Sequence, residues 1–278
     1  MFRRIYSTAF WAFLCITCIV MFVGAAALFL LVAPFDRNRR AQHYYSCFWA
    51  QIFFYTNPMW RCRIEGRHRI PHKGAAVLVS NHESLGDILV CFGLYRPFKW
   101  VSKASVFKVP LIGWNMWFNR YIPLVRRNRA SIVAMMESCR NWLARDVPVL
   151  FFPEGTRSPD GEVKAFKDGA FQLAIEADCP VYPMVITGTA NILPKHGYII
   201  RENANCRMRV LEPIDPAQFD GDVARLRDHV RSVIVAERAA MMGQPVVEPE
   251  TETEPVLGAE TAVILQEASA TNVAETRV

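Results

Sequence analysis

Hydrophobic and polar positions change their pattern three times along the chain. Residues 10–32 form an apolar run without a charge, and Thr17 is its one clear polar interruption. At 1.5 Å per residue this run makes a helix about 34 Å long, enough to cross a hydrocarbon core of about 30 Å. Residues 43–60 come next, dense in rings at Tyr44, Tyr45, Phe48, Trp49, Phe53, Phe54, Tyr55 and Trp60. Rings with polar edges favour the headgroup layer, which predicts an interfacial helix; the alternative is a helix packed on the core of the domain that follows. From residue 61 to residue 243 the apolar runs shorten and alternate. Strand-like runs lie at 75–80, 99–102, 121–125, 147–152, 181–186 and 208–211, with helix-like stretches near 85–94, 131–144, 170–176 and 222–238. Turn residues mark loops at 71–74, 158–161 and 194–197. This alternation predicts an α/β layer fold, a β-sheet flanked by helices.

Composition sharpens the first and last segments. The apolar fraction of 52% is high for a soluble protein, and residues 10–32 hold much of the excess. A cleaved signal peptide needs an apolar region of only about 7–15 residues and a small-residue cleavage site, whereas Pro34 and Phe35 follow this run. Arg37, Arg39 and Arg40 after the run outnumber Arg3 and Arg4 before it. That bias puts the main domain on the cytoplasmic side of an inner membrane or endomembrane. Residues 244–278 carry seven Glu against one Arg and few aromatics, the composition of an acidic disordered tail. The organisation expected is therefore an anchor and aromatic helix over 1–60, a catalytic domain over 61–243 and a tail over 244–278. The chain's net charge of +6 includes that acidic tail, so the rest is strongly basic, as suits anionic lipid surfaces. Nucleic acid would not need the apolar anchor. The eight cysteines have no paired metal spacing and imply neither zinc nor a disulfide framework.

Two constellations carry chemistry. The first runs Ser80-Asn81-His82-Glu83-Ser84-Leu85-Gly86-Asp87, from the end of a strand into a helix. There His82 faces a crevice, and Asp87 can accept a hydrogen bond from one imidazole nitrogen, leaving the other as an outward proton acceptor. The bland reading is a helix-capping pair of Ser84 and Asp87 with His82 finishing the loop. No second His follows at zinc-protease spacing, and Ser84 lacks the glycine two residues before it that a nucleophile elbow needs.

The second constellation, Phe151-Phe152-Pro153-Glu154-Gly155-Thr156-Arg157-Ser158, also follows a strand. Gly155 lets the backbone approach an anion, Thr156 and Ser158 offer hydroxyls, and Arg157 offers a planar fork of donors. Glu154 would either hold Arg157 or hydrogen-bond a glycerol hydroxyl, and the bland reading is a surface turn with a local ion pair. Lys103, Arg126 and Lys167 lie near strand ends, where they converge on the same anion or stay solvated.

Taken together these residues resemble the glycerolipid acyltransferase family, in its 1-acyl-sn-glycerol-3-phosphate acyltransferase branch. Asn81-His82 with Asp87 resembles the first motif, His-x₄-Asp; residues 113–126 the second, ending in an arginine; 152–158 the third; and Val181-Tyr182-Pro183-Met184-Val185-Ile186 the fourth. Pro123 stands where the family more often has a branched or aromatic residue, and Arg127 and Arg120 rival Arg126 for the phosphate. Tyr182 is larger than usual in the fourth motif.

The resemblance implies a mixed central β-sheet and direct transfer of a fatty acyl group from a thioester to the sn-2 hydroxyl of lysophosphatidate. His82, oriented by Asp87, is then the base, while Glu154, Gly155, Thr156, Arg157, Lys103 and Arg126 bind the glycerol phosphate. It implies no cofactor, metal or covalent acyl-enzyme; acyl-CoA or acyl-carrier protein is the donor, and membrane lipids are the partners. Two rival readings remain. One keeps the fold with glycerol 3-phosphate, another lysolipid or an acylated amino-acid lipid as acceptor. The other is a non-catalytic lipid-binding protein on an inactive copy of the fold.

Overall fold

The structure, a computed structural model, describes residues 2–57, 59–158, 161–192, 199–200 and 203–244. The acidic tail from residue 245 onward and the loop expected at 194–197 lie outside them. Helices α1 (Phe2–Val32) and α2 (Arg40–Thr56) precede strand β1 (Trp60–Glu65). Then follow β2 (Val77–Ser80), α3 (Gly86–Phe92), β3 (Lys99–Lys103), α4 (Ile112–Phe118), β4 (Ile122–Leu124) and α5 (Arg129–Leu143). The remainder is β5 (Val149–Phe151), α6 (Gly169–Glu176), β6 (Val181–Thr187), β7 (Ala204–Val210) and α7 (Val223–Met242).

The strands form one sheet in the order β1-β7-β6-β2-β5-β3-β4. β6, β2, β5, β3 and β4 run parallel, and the antiparallel pairing of β6 with β7 makes the sheet mixed. Alternate residues of the central strands enter opposite layers. Leu78, Leu150, Met184 and Ile186 join a core that contains α1, α2, α3 and α4 residues. Val77, Val79, Val149, Phe151 and Val185 meet α5, α6 and α7 on the other side. Pro183 sits within the wholly buried β6. Its carbonyl accepts from Leu211, just past the end of β7, so its missing N–H falls where that ladder stops.

α1 is long and apolar enough to cross a membrane. Its inner side packs on the protein: Phe10 lies 5.0 Å from Trp60, and Phe29 lies 4.4 Å from Phe118. Ile16, Ile19, Val20, Val23, Leu30 and Leu31 remain exposed. α2 starts three residues earlier than expected and ends four earlier, because Trp60 opens β1 instead. His43, Trp49, Phe53 and Phe54 are buried against the domain, while Phe48 and Tyr55 stay exposed. Packing on the core, the alternative reading of this segment, accounts for most of its rings.

Candidate active site

The site lies where the parallel strands end. In register, Val79 of β2 faces Phe151 of β5 and Pro183 of β6. The loops after these three strands therefore emerge side by side at one edge of the sheet. Such C-terminal edges are where open α/β sheets form their crevices.

His82 is two residues beyond β2. Its Nδ1 lies 2.6 Å from Oδ2 of Asp87, in the first turn of α3. The same oxygen accepts the backbone amides of Glu83 at 2.7 Å and Ser84 at 3.0 Å. One carboxylate thus holds both the imidazole and the two amides that lead into α3. Asp87 is fully buried, whereas the His82 side chain keeps 18% of its surface. The ring stacks on Phe152 with centroids 4.3 Å apart. Nε2 has no hydrogen-bond partner among the described residues. With the Nδ1 proton held by Asp87, Nε2 is the nitrogen free to take a proton.

The turn after β5 is fastened to this histidine from both sides. Glu154 Oε1 accepts the His82 amide at 2.7 Å, and the Ser158 amide donates to the His82 carbonyl at 2.8 Å. Glu154 Oε2 accepts the Lys164 amide at 3.2 Å. Glu154, expected to meet the substrate's phosphate or glycerol or to hold Arg157, is here bonded to these two backbone amides. The residue is 5% exposed, and each of its oxygens accepts a backbone donor. Burial pushes its carboxyl up to about 7; the His82 and Lys164 amides pull it down, and Asp87 adds to the rise.

Gly155 adopts φ +67°, in the left-handed region, and Lys167 lies against it: a Cβ there would be 3.2 Å from Lys167 Nζ. The Lys167 amide also donates to the Pro153 carbonyl at 3.1 Å. Thr156 is exposed and Arg157 half-buried. Among the described residues the Arg157 guanidinium has no hydrogen-bond or ion-pair partner, so its fork of donors is open to an anion.

Lys103 and Arg126 reach the same edge further along it. Lys103 ends β3 level with Leu124 of β4, and Arg126 follows two residues later. At about 4.8 Å per strand, β3 and β4 end about 10 and 14 Å from β2. Both residues are exposed, and among the described residues neither makes a hydrogen bond or ion pair with His82 or the 154–158 turn. The rival Arg120 precedes β4 and so belongs to the opposite edge, where burial, with smaller parts from Arg120 and Arg39, pushes the Lys99 ammonium down to about 7 against the pull of Asp36. Arg127 adjoins Arg126 in a left-handed conformation.

One flank of the site carries residues to which no sequence motif pointed. Glu83 meets Arg238 of α7 at 3.4 Å, both nearly buried. Burial and the neighbouring Asp87 push Glu83 up to about 7, against the pull of Arg238. Thr189, after β6, donates its hydroxyl to Oδ1 of Asp87.

His82, Asp87 and the 154–158 turn lie within residues 61–187, which match the protein-family model described as Acyltransferase. These residues form an acyltransferase-family domain. Among curated members, a 1-acyl-sn-glycerol-3-phosphate acyltransferase of Chlamydomonas reinhardtii is 39% identical over 193 residues, 69% of this chain and 58% of that protein. A chloroplastic enzyme of the same name from Arabidopsis thaliana is 36% identical over 212 residues, 73% of this chain and 59% of that protein. The human alpha form is 32% identical over 177 residues, 62% of this chain and 61% of that protein. The chain thus spans about three fifths of the length of these relatives. The crystal structure of the 1-acyl-sn-glycerophosphate (LPA) acyltransferase PlsC from Thermotoga maritima superposes with a TM-score of 0.70 at 25% identity, covering 87% of this chain and 99% of that one. The family's first and third motifs are the two segments that hydrogen bonds join across His82.

Proposed function

We propose that this chain transfers a fatty acyl group from a thioester donor to the sn-2 hydroxyl of 1-acyl-sn-glycerol 3-phosphate, forming phosphatidic acid. The observation that carries this reading is the His82–Asp87 pair, bonded through its own backbone to the turn that bears Arg157, with His82 Nε2 and the Arg157 guanidinium both without a partner among the described residues. The names of the relatives and the near-complete cover of the Thermotoga maritima enzyme support it.

In this reading Nε2 of His82 removes the proton from the acceptor hydroxyl as the oxygen attacks the thioester carbonyl. The thiolate of the donor leaves as the tetrahedral intermediate collapses, and the proton passes from His82 to it. A positioned base contributes about 10²–10⁴-fold to such a step. Arg157, with Thr156 beside it in the turn, Lys167 against Gly155 and Lys103 and Arg126 at the rim, holds the phosphate and so fixes the hydroxyl within reach. The Gly155 amide is already bonded to the Phe152 carbonyl at 3.0 Å, so an oxyanion donor from this turn is the amide of Thr156 or Arg157. The donor is acyl-CoA or acyl-carrier protein, both acidic. α1 associates with the membrane, residues 61–243 carry the chemistry, and the domain faces the cytoplasm.

The test is a transfer assay with defined lysolipids and both donor types. His82→Ala is expected to abolish transfer with lipid binding intact. Arg157→Ala is expected to raise KM for lysophosphatidate far more than KM for the donor. Normal turnover in His82→Ala, or acylation only of a lysolipid whose phosphate is capped, would overturn the assignment.

A further inference from the structure

Asp87 sits where three segments meet, and the third is the turn out of β6. Gly188 makes that turn with φ +83°, and a Cβ there would lie 2.2 Å from the Asn205 carbonyl oxygen, so only glycine fits. Thr189 follows at once, fully buried, and its hydroxyl donates to Oδ1 of Asp87. The approach is locked from the other side. Ser84 Oγ donates to the Thr189 carbonyl at 2.9 Å, and Gly86 opens α3 without a Cβ, which would lie 2.9 Å from Ile192. Two glycines, one on each segment, clear the space that brings Thr189 onto Asp87.

Oδ2 of Asp87 receives three donors: His82 Nδ1 and the amides of Glu83 and Ser84. Among the described residues Oδ1 receives only the Thr189 hydroxyl. Without it a buried carboxylate oxygen would stand unpaired, which is costly, and the carboxylate would be freer to turn about its Cβ–Cγ bond. Any such turn moves the acceptor that aims the imidazole.

We propose that Thr189 is a positioning residue for the reaction: by holding Oδ1 of Asp87 it fixes the carboxylate plane, and with it the direction of His82 Nε2. The inference rests on the reading of His82 as the base. It concerns a residue that touches neither substrate.

The experiment compares Thr189→Ser, Thr189→Ala and Thr189→Val with His82→Ala in the full chain, reconstituted with 1-acyl-sn-glycerol 3-phosphate. The donor is whichever of palmitoyl-CoA and palmitoyl-acyl-carrier protein the unaltered chain uses. Thr189→Ser keeps the donor and is expected to retain kcat. Thr189→Ala and Thr189→Val are expected to lose about 10²-fold in kcat, with KM for both substrates unchanged. The Ser and Ala variants, compared by melting temperature, decide the matter even where the valine is not tolerated. Equal kcat for Ser and Ala, or a loss confined to KM, overturns the role of the hydroxyl. An inactive His82→Ala beside a fully active Thr189→Ala removes this inference alone, whereas an active His82→Ala removes the reading beneath it.

Discussion

At the scale of single residues, Glu154 shows how a carboxyl beside the proposed anion site can serve the protein's own backbone. Its two oxygens hold the amides of His82 and Lys164, so its loss should disturb the base more than the phosphate. Glu154→Ala is expected to lower kcat with little change in KM for lysophosphatidate; a rise in KM at constant kcat would return Glu154 to the substrate. Titration gives a second prediction. Glu83 and Glu154 are raised from 4.5 to about 7, chiefly by burial. Between those values the native state keeps protons that the unfolded chain has released. Their contribution to stability is complete below 4.5 and drains away as pH rises to about 7. Melting temperatures measured from pH 5 to 7.5 should therefore carry a downward component, and Glu154→Gln, which does not titrate, should flatten it. An unchanged slope in Glu154→Gln would contradict the assignment.

At the scale of elements, α7 acts as a clamp on the site. Arg231 donates to the carbonyls of Val163 and Lys164, Arg227 pairs with Asp168, and Arg238 pairs with Glu83. Arg238→Met would leave Glu83 buried without its counter-charge, a loss of about 3–5 kcal/mol for an unpaired buried ion. A protonated Glu83 needs no partner, so the loss should be larger at pH 8 than at pH 6 by chemical denaturation. Equal losses at both values would mean that Arg238 acts by packing alone.

The same elements show what the sequence could reveal. β2, β5 and β6 are short runs of Val, Leu, Ile and Phe buried on both faces, and such runs stand out against their loops. β1 escaped notice because it is an edge strand whose Arg61 and Arg63 face solvent. α4, with seven residues and both faces apolar, has no helical period to read. His82 and Asp87 were legible because five positions separate them, within one turn of chain. Thr189 was not: 102 positions separate it from Asp87, and only the parallel pairing of β6 with β2 joins them. Glu154 was seen as part of the motif but assigned to the ligand, since its partners are backbone amides that no side-chain pattern records.

At the scale of the whole molecule, the apolar helix and the catalytic layers share one core. Phe10, Cys18 and Met21 of α1 lie in the same cluster as Leu78, Val90, Phe98 and Met184. The helix is fastened along its length. Ser7 Oγ accepts the Ile200 amide at 3.0 Å, Tyr45 Oη donates to the Met21 carbonyl at 3.0 Å, and Gln42 donates to the Ala25 carbonyl at 3.2 Å. Gly24 lets Tyr45 come that close, since a Cβ there would lie 2.1 Å from its hydroxyl. Such a helix differs from an anchor on a flexible tether, which could be cut away to release a soluble enzyme. Burying one large apolar side chain is worth about 1.5–3 kcal/mol, and removing α1 would uncover several partners at once, among them Trp60, Tyr45 and Phe118. A chain lacking residues 1–36 is therefore expected to melt well below the full chain and to aggregate in detergent-free buffer, as measured by thermal unfolding and light scattering. A monodisperse truncated chain that melted at the full chain's temperature would show α1 to be a tether after all, and the shared core to contribute little.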